Sequence, residues 1–206
     1  HHITPIEGVD FQMFERDLPG ENTTGWADEQ TVSALPLEMC QTMNGMWGYK
    51  VADQNYKSVN ELVQLLVKAA SKGSNLLMNV GPQPDGNLPA TAVERLAGMG
   101  KWMGIYGDSV YGTDATGLPE QEWGVTTRKG NVLYLHVFDP SSGKVSIPLT
   151  GYNPTTGKKP KKLKIRSVTA MNGGAALTWQ YGKDGILNVT LPPAATAPDY
   201  VVEVRF

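Results

Sequence analysis

The stretch Gly73-Ser-Asn-Leu-Leu-Met-Asn-Val-Gly-Pro-Gln-Pro-Asp-Gly86 decides the fold of the first half of the chain. Its apolar part, from Leu76 to Val80, lacks the period-two alternation of a half-exposed strand. This predicts a strand covered on both faces, as in a parallel sheet between helices. Two prolines stiffen the segment that follows, and Asp85-Gly86 predicts a turn with a left-handed glycine. The stretch therefore predicts a buried strand that ends in a rigid polar loop.

Two predicted helices flank this strand. Ser58-Val59-Asn60-Glu61 has the spacing of a capping box, and Gly73 is placed to end the helix that follows. Thr91-Ala92-Val93-Glu94 predicts a second capping box, which opens a helix that ends near Gly107. The expected apolar face of this second helix consists of Val93, Leu96, Met99, Trp102, Met103 and Tyr106. Helix, strand, loop and helix is the order of an α/β fold.

The second half of the chain has a different pattern, with short apolar runs separated by turn residues. From Thr116 onward this pattern predicts a series of antiparallel strands that form a β-sandwich. The expected strands cover residues 123–128, 132–138, 144–149, 161–171, 176–181, 186–191 and 200–206.

Composition excludes several classes of partner. The 206 residues carry a net charge of −2, which gives no electrostatic footprint for nucleic acid. Cys40 is the single cysteine, so the chain has no internal disulfide and no metal site of the usual multi-cysteine kind. No apolar run is long enough to span a bilayer. We therefore expect a small or neutral partner, no metal and no membrane span.

Several motifs, in order along the chain, resemble glycoside hydrolase family 29, the α-L-fucosidases. They are Asp10-Phe-Gln-Met-Phe-Glu15, which stands in place of Asp-Phe-x-Thr-Pro-Glu, then Trp47-Gly-Tyr49, the stretch 73–86, Gly100-Lys-Trp-Met103, and Tyr106-Gly-Asp-Ser-Val-Tyr-Gly-Thr113. The resemblance covers about Asp10 to Thr113. It implies that residues 1–115 are the C-terminal part of a (β/α)8-type catalytic barrel, and that residues 116–206 are the β-sandwich domain typical of the family.

A complete (β/α)8 barrel needs about 250 residues, more than this whole chain provides. We therefore expect the earlier strands, and the family's nucleophilic aspartate, upstream of His1, and we expect this chain alone to be inactive. The resemblance implies hydrolysis of a fucosylated oligosaccharide or glycoconjugate with retention, without a cofactor, in a periplasmic or extracellular location. Two alternatives stay open: a non-catalytic carbohydrate-binding or interaction protein of the same fold, and a retaining hydrolase for another sugar.

A retaining glycosidase uses two carboxyl groups about 5 to 5.5 Å apart, a nucleophile and an acid/base. The resemblance offers Asp53, Glu15 and Glu38 as candidates for the acid/base. Asp53 lies in a loop that carries the acid/base glutamate in some family members, and Glu15 ends the fucosidase-like segment near an expected strand end. Glu38 stands where the family commonly has Trp-Glu. The alternatives are an exposed loop carboxylate for Asp53, an ion pair with Arg16 or Arg128 for Glu15, and a structural role for Glu38.

The resemblance also suggests five residues that bind the sugar. Asn44 and Trp47 lie on a predicted strand that continues to Tyr49. The resemblance suggests that the carboxyl end of this strand approaches the fucose. Gln41 replaces an arginine that contacts the sugar in some relatives. Leu76 matches a position where relatives have an apolar or aromatic residue against the methyl group of the sugar. The alternative is that Leu76 belongs to the barrel core. Trp26, in a loop longer than in many family members, stacks on a sugar or anchors its loop by burial.

Overall fold

The computed structural model describes residues 7–23, 31–154, 163–193, 195 and 198–206. The chain divides into two units, residues 1–102 and 103–206. The domain boundary that we place between residues 115 and 116 stays a prediction. No helix within the described ranges is both long and apolar enough to cross a membrane.

The first unit contains a parallel three-stranded sheet in the order β1-β2-β3. The strands are β1 (Gln12–Glu15), β2 (Leu37–Thr42) and β3 (Ser74–Asn79). The loop after β3 contains the predicted turn, in which the Gly86 N–H donates to the Gln83 carbonyl and Gly86 has a φ of 85°. The predicted strand and turn are confirmed.

Helix α1 (Val59–Ser71) begins with the predicted capping box. The Glu61 N–H donates to the Ser58 hydroxyl at 3.2 Å, and the Ser58 N–H donates to the Glu61 carboxylate at 2.7 Å. These bonds satisfy two N–H groups that the first turn of a helix otherwise leaves unpaired. Gly73 follows the helix with a φ of 73°, as predicted.

Helix α2 (Ala90–Tyr106) differs from the prediction at its start and on its apolar face. The Pro89 carbonyl accepts the first helical hydrogen bond, from the Val93 N–H at 3.1 Å, so Thr91 lies inside the helix and does not cap it. The predicted second capping box is therefore wrong. A 3₁₀ turn, Gly107–Ser109, follows the helix.

A close contact between the two helices explains the shifted apolar face. A Cβ atom added to Gly98 would lie 2.5 Å from Val59 Cγ2, so α2 can pack this tightly on the start of α1 only through a glycine. Ala92 and Trp102 are buried, whereas Val93 is 49% exposed and Leu96 is also exposed. The prediction is therefore wrong for Val93 and Leu96.

The two faces of β3 have different surroundings. Leu76 packs with Met39 and Ala69 in a core cluster on the helix-covered face. Leu77 points to the other face and is 52% exposed. The expectation that both faces are covered is wrong for this chain, because the described residues supply helices on one side of the sheet only. We call the other side the open face.

The second unit is a β-sandwich of two antiparallel sheets, in the orders β4-β5-β6-β11-β8 and β7-β10-β9. Its strands are β4 (Asp114–Ala115), β5 (Gly124–Lys129), β6 (Val132–Val137), β7 (Lys144–Pro148), β8 (Ser167–Ala170), β9 (Thr178–Tyr181), β10 (Ile186–Thr190) and β11 (Tyr200–Arg205). Leu135, Ile147 and Leu187 belong to the core cluster that both sheets share. The predicted sandwich is confirmed, although β8 covers only residues 167–170 of the expected 161–171, of which 161 and 162 lie outside the described residues.

A fully buried polar chain runs through the sandwich. The His136 ring lies 2.7 Å from the Asp199 carboxylate through Nδ1 and 2.9 Å from the Thr127 hydroxyl through Nε2. That hydroxyl in turn donates to the Ser109 carbonyl at 2.6 Å. Because a buried charge or polar group costs free energy unless it is paired, this chain depends on each of its members.

Candidate active site

Polar side chains of the parallel sheet lie on its open face. In the strand register, Glu15 is level with Cys40 and Cys40 with Leu77, so the three side chains point to the same side. Glu38 lies on this side too, two residues before Cys40 on β2. Burial raises the pKa of the Cys40 thiol, and the charges of Glu15 and, more weakly, Glu38 raise it further. From strand spacing and rise, the Cα atoms of Glu15 and Glu38 are about 8 Å apart.

Glu15 is the last residue of β1, at the carboxyl edge of the sheet. Among the described residues, the Trp47 side chain lowers the pKa of its carboxylate most, which places the two side chains close together. The Arg16 guanidinium carbon lies 5.2 Å from the centroid of the Trp47 ring, and Arg16 Nη2 donates to the Gly45 carbonyl at 3.0 Å. Glu15, Arg16 and Trp47 therefore form one cluster, which we call the Glu15 cluster.

Trp47 lies in an irregular segment, so the predicted strand through Tyr49 is wrong. Strand β2 ends at Thr42, whose hydroxyl donates to the Met46 carbonyl at 2.8 Å and so folds the chain back in a tight turn. At the end of β3, Asn79 Nδ2 donates to the Trp47 carbonyl at 2.6 Å. The segment is thus held by the ends of two strands rather than by strand pairing of its own.

Gly81 brings the loop after β3 directly onto this segment. A Cβ atom added at Gly81 would lie 2.5 Å from the Tyr49 nitrogen and 2.6 Å from the Gly48 carbonyl carbon. Such backbone-to-backbone contact leaves no room for a side chain. Gly81 therefore helps to fix the position of Trp47 through the backbone of the two residues that follow it.

Asp53 and Asn44 lie together on another side of the same segment. The Asp53 carboxylate packs on Gly45, since a Cβ added there would meet Oδ2 at 3.1 Å. Oδ2 is buried and has no hydrogen-bond partner in the described part of the chain. The charge of Asp53 also raises the pKa of Tyr56, after the larger effect of burial. Asn44 Nδ2 is 3.5 Å from the Asp53 carbonyl.

Gln41 and Asn44 line a cleft of about 400 Å³ beside Arg16 and Lys57. The Gln41 side chain donates to the Arg16 carbonyl at 3.3 Å and accepts from the Thr42 N–H at 2.9 Å. Burial lowers the pKa of Lys57, and the Arg16 charge lowers it further. The cleft therefore offers amide and cationic groups next to the Glu15 cluster.

The structure brings some of the predicted site residues together and separates others. Glu15 and Trp47 lie close together, and Glu38 lies on the same face of the sheet as Glu15, one level below. Leu76 points to the helices, which favours its alternative role in the core. Trp26 lies outside the described residues.

Sequence reasoning did not assign a role in the site to three residues that form or hold the Glu15 cluster. Asn79 and Gly81 both fall within the quoted stretch 73–86, where a strand-end amide and a glycine before proline were available as signals. Arg16 was named only as an alternative ion-pair partner of Glu15, because its left-handed backbone conformation is not visible in the sequence.

Comparison with known proteins identifies the family of the chain. A family model described as alpha-L-fucosidase matches residues 1–108. An alpha-L-fucosidase of Branchiostoma floridae is 33% identical over 168 residues, which are 77% of this chain and 35% of that protein. The chain belongs to the α-L-fucosidase family, glycoside hydrolase family 29.

Solved structures of the family match both units. Alpha-L-fucosidase isoenzyme 1 from Paenibacillus thiaminolyticus has a TM-score of 0.77 and 32% identity, over 95% of this chain and 45% of that one. A Bacteroides thetaiotaomicron family 29 fucosidase has a TM-score of 0.78 and 27% identity, over 95% of this chain and 43% of that one. That structure is of a covalent intermediate trapped with 2-fluoro-fucosyl fluoride in a glutamate-to-glutamine mutant. The predicted fold class, the end of a (β/α)8-type barrel followed by a β-sandwich, is confirmed.

The match covers only part of each relative. The chain spans about a third of the length of the curated relatives it matches, and less than half of the solved structures.

Proposed function

We propose that this chain is the C-terminal part of a retaining α-L-fucosidase in which Glu15 is the acid/base catalyst. The observation that carries the proposal is the position of Glu15, on the open face at the carboxyl end of a parallel strand and beside the Trp47 side chain. In (β/α)8 barrels the catalytic residues lie at this end of the strands.

Position separates Glu15 from the other two candidate carboxylates. Glu38 lies on the same face but about 7 Å further from the carboxyl edge, one side-chain level deeper in the sheet. Asp53 packs on Gly45, away from the row that Glu15 forms with Cys40. Asp53 is also one methylene shorter than the glutamate expected in its loop. The trapped intermediate in a glutamate-to-glutamine mutant of the Bacteroides relative supports a glutamate in this role.

The chemistry assigned to Glu15 has two steps. Protonated Glu15 donates its proton to the glycosidic oxygen as the bond to C1 breaks, while a second carboxylate attacks C1 from the other side and forms a glycosyl-enzyme. Ionised Glu15 then removes a proton from the water that attacks C1 and releases fucose with its configuration retained. The Trp47 side chain favours the ionised form of Glu15, which is the form that acts as the base in this second step.

The partner carboxylate is not among the groups of the Glu15 cluster. We propose that it is an aspartate in a segment of the intact protein outside this sequence, held about 5 to 5.5 Å from Glu15. Burial by the remaining barrel strands and the nearby negative charge would raise the pKa of Glu15, as the acid step requires. This chain alone is therefore expected to be inactive.

The proposed substrate is a fucosylated oligosaccharide or glycoconjugate. Trp47 presents an aromatic ring beside Glu15, and such rings pack against the apolar faces of sugars. Gln41 and Asn44 line the adjoining cleft of about 400 Å³, where amide groups can hydrogen-bond the hydroxyls of the sugar that leaves.

The direct test is hydrolysis of 4-nitrophenyl α-L-fucoside by the intact protein, with ¹H NMR of the anomer first released. We expect turnover with α-L-fucose as the first product. Turnover only on the α-L-rhamnoside or the α-D-galactoside would favour the hydrolase for another sugar. No turnover on any of them by a folded protein would favour the non-catalytic carbohydrate-binding alternative.

The choice of acid/base is tested with a matched series, Glu15→Gln, Glu38→Gln and Asp53→Asn, in the intact protein. Each change removes one charge and keeps the size of the side chain. General acid–base catalysis contributes about 10²- to 10⁴-fold, so we expect E15Q alone to lose that much on a substrate with a poor leaving group. A loss of this size in D53N with E15Q unaffected would move the assignment to Asp53.

A further inference from the structure

We propose that Arg16 is a positioning residue, which clamps the Trp47 ring and keeps the indole N–H directed toward the Glu15 carboxylate. The inference rests on the proposed function of Glu15. It adds a role for a residue that neither the sequence motifs nor the comparisons single out.

The backbone of Arg16 is the first observation. Its φ of 65° is in the left-handed region, and Arg16 is the one non-glycine residue with a positive φ in the described part of the chain. L side chains rarely adopt this conformation, and they keep it at sites where the surroundings hold it. Here the Arg16 N–H donates to the Cys40 carbonyl at 2.9 Å, and the Arg16 carbonyl accepts from Gln41.

The sharp turn at Arg16 sends its side chain over the segment that carries Trp47. The guanidinium carbon is 5.2 Å from the Trp47 ring centroid, a cation–π distance. Nη2 also donates to the Gly45 carbonyl at 3.0 Å, so the same group holds the segment two residues before the ring. A planar guanidinium can stack flat on a ring while its edge donates hydrogen bonds, whereas a lysine ammonium is a point charge with no plane to stack.

Two further contacts bear on the position of Trp47. Asn79 fixes the Trp47 carbonyl at 2.6 Å, which sets the backbone but not the side-chain torsions. Among the described residues, the Trp47 side chain lowers the pKa of the Glu15 carboxylate most, so the two side chains are close. The Arg16 guanidinium over the ring restrains the side-chain torsions of Trp47, and with them the direction of the N–H.

The experiment compares Arg16→Gly, Arg16→Lys and a control, Arg205→Ala. Glycine accepts a φ of 65° without strain, so R16G removes the side chain and keeps the turn. Arg205 is an exposed arginine of the second unit that pairs with Glu203, and its removal leaves the Glu15 cluster intact.

The first readout does not need activity. In protein labelled with ¹⁵N at the indoles, the Nε1–H signal of Trp47 is assigned by its loss in Trp47→Phe. In the native protein we expect it to move with pH as Glu15 ionises, and to stop doing so in E15Q. In R16G we expect this movement to be lost and in R205A to be kept. A Trp47 signal that follows Glu15 unchanged in R16G would overturn the proposal.

The second readout is the kinetics of the intact enzyme. We expect R16G to lose about 10- to 100-fold in kcat with little change in KM, because the clamp orients a catalytic group and does not hold substrate. R16K should recover part of this loss. A change in KM alone would assign Arg16 to substrate binding and contradict the proposal. Failure of the proposed function would show as an inactive native enzyme, and the indole signal would still test the clamp.

Discussion

A methyl group added at Gly81 should push the Trp47 segment out of place. In the native structure the Cβ position at Gly81 is only 2.5 Å from the Tyr49 nitrogen, whereas ordinary contact begins at 3.4 Å. Both sides of the contact are backbone, so no side chain can rotate away. In Gly81→Ala the two segments must therefore separate by about 0.9 Å, close to the 1 Å misplacement that can cost an enzyme about 10²-fold.

Gly48→Ala is the matched control, because Gly48 lies on the other side of the same contact. A Cβ atom there meets nothing within 4 Å, and the backbone is outside the left-handed region. Both variants make the same chemical change next to Trp47, but only G81A forces the two backbones apart. The comparison therefore separates a steric effect from the general effect of replacing glycine.

Urea denaturation of the chain and kinetics of the intact enzyme measure the two consequences. We expect G81A to lose about 1 to 3 kcal/mol of unfolding free energy, the usual cost of overpacking. We also expect about a 10²-fold loss in kcat/KM. G48A should stay within about 0.5 kcal/mol of the native protein. Equal stability and equal activity of G81A and G48A would refute the reasoning.

Three further predictions concern other parts of the chain. Asp199→Ala leaves the buried Nδ1 of His136 without a partner, so we expect a loss of about 1 to 3 kcal/mol in chemical denaturation, and unchanged stability would contradict the buried pair. Ser58→Ala removes the cap of α1 and should cost about 1 kcal/mol in the same assay, whereas no change would mean that the capping box does not stabilise the helix. Burial raises the pKa of Cys40, and the charge of Glu15 raises it further. Glu15→Gln should therefore lower that pKa and speed the labelling of Cys40 by a disulfide reagent at pH 8. An unchanged labelling rate would contradict the proximity of Glu15 and Cys40.

The local features of the fold could be predicted because they depend on short-range chemistry. The Ser58 capping box and the turn at Gly86 each need only a few neighbouring residues of the right type. The sandwich strands followed from turn residues between apolar runs, and most of their bounds agree to within two residues. Such elements form wherever local preference and tertiary packing agree.

The errors occur where distant residues decide the structure. The apolar face of α2 depends on the contact between Gly98 and Val59, which lie 39 positions apart in the sequence. Similarly, Trp47-Gly48-Tyr49 looks like a strand, but the Thr42 hydroxyl and the Asn79 amide hold it in an irregular segment. Neither arrangement can be predicted from the pattern of the segment itself.

The sequence supplied the candidate carboxylates but could not choose among them. Glu15, Glu38 and Asp53 all lie near strands predicted from the sequence, and the choice among them depends on face and depth in the sheet. Face follows from strand register, which places Glu15 level with Cys40 on the open face. Register depends on pairing between strands separated by more than 20 residues, so it requires the structure.

The central claim is that Glu15 is the acid/base, and azide rescue of Glu15→Ala in the intact enzyme tests it most directly. We expect E15A to lose much more activity on a fucoside with a poor leaving group than on 4-nitrophenyl α-L-fucoside, because only the former needs protonation. Added azide should restore the turnover of 4-nitrophenyl α-L-fucoside and yield α-L-fucosyl azide, since azide attacks the glycosyl-enzyme without a general base. An E15A enzyme as active as the native one on the poor leaving group, or rescue seen with Asp53→Ala instead, would contradict the assignment.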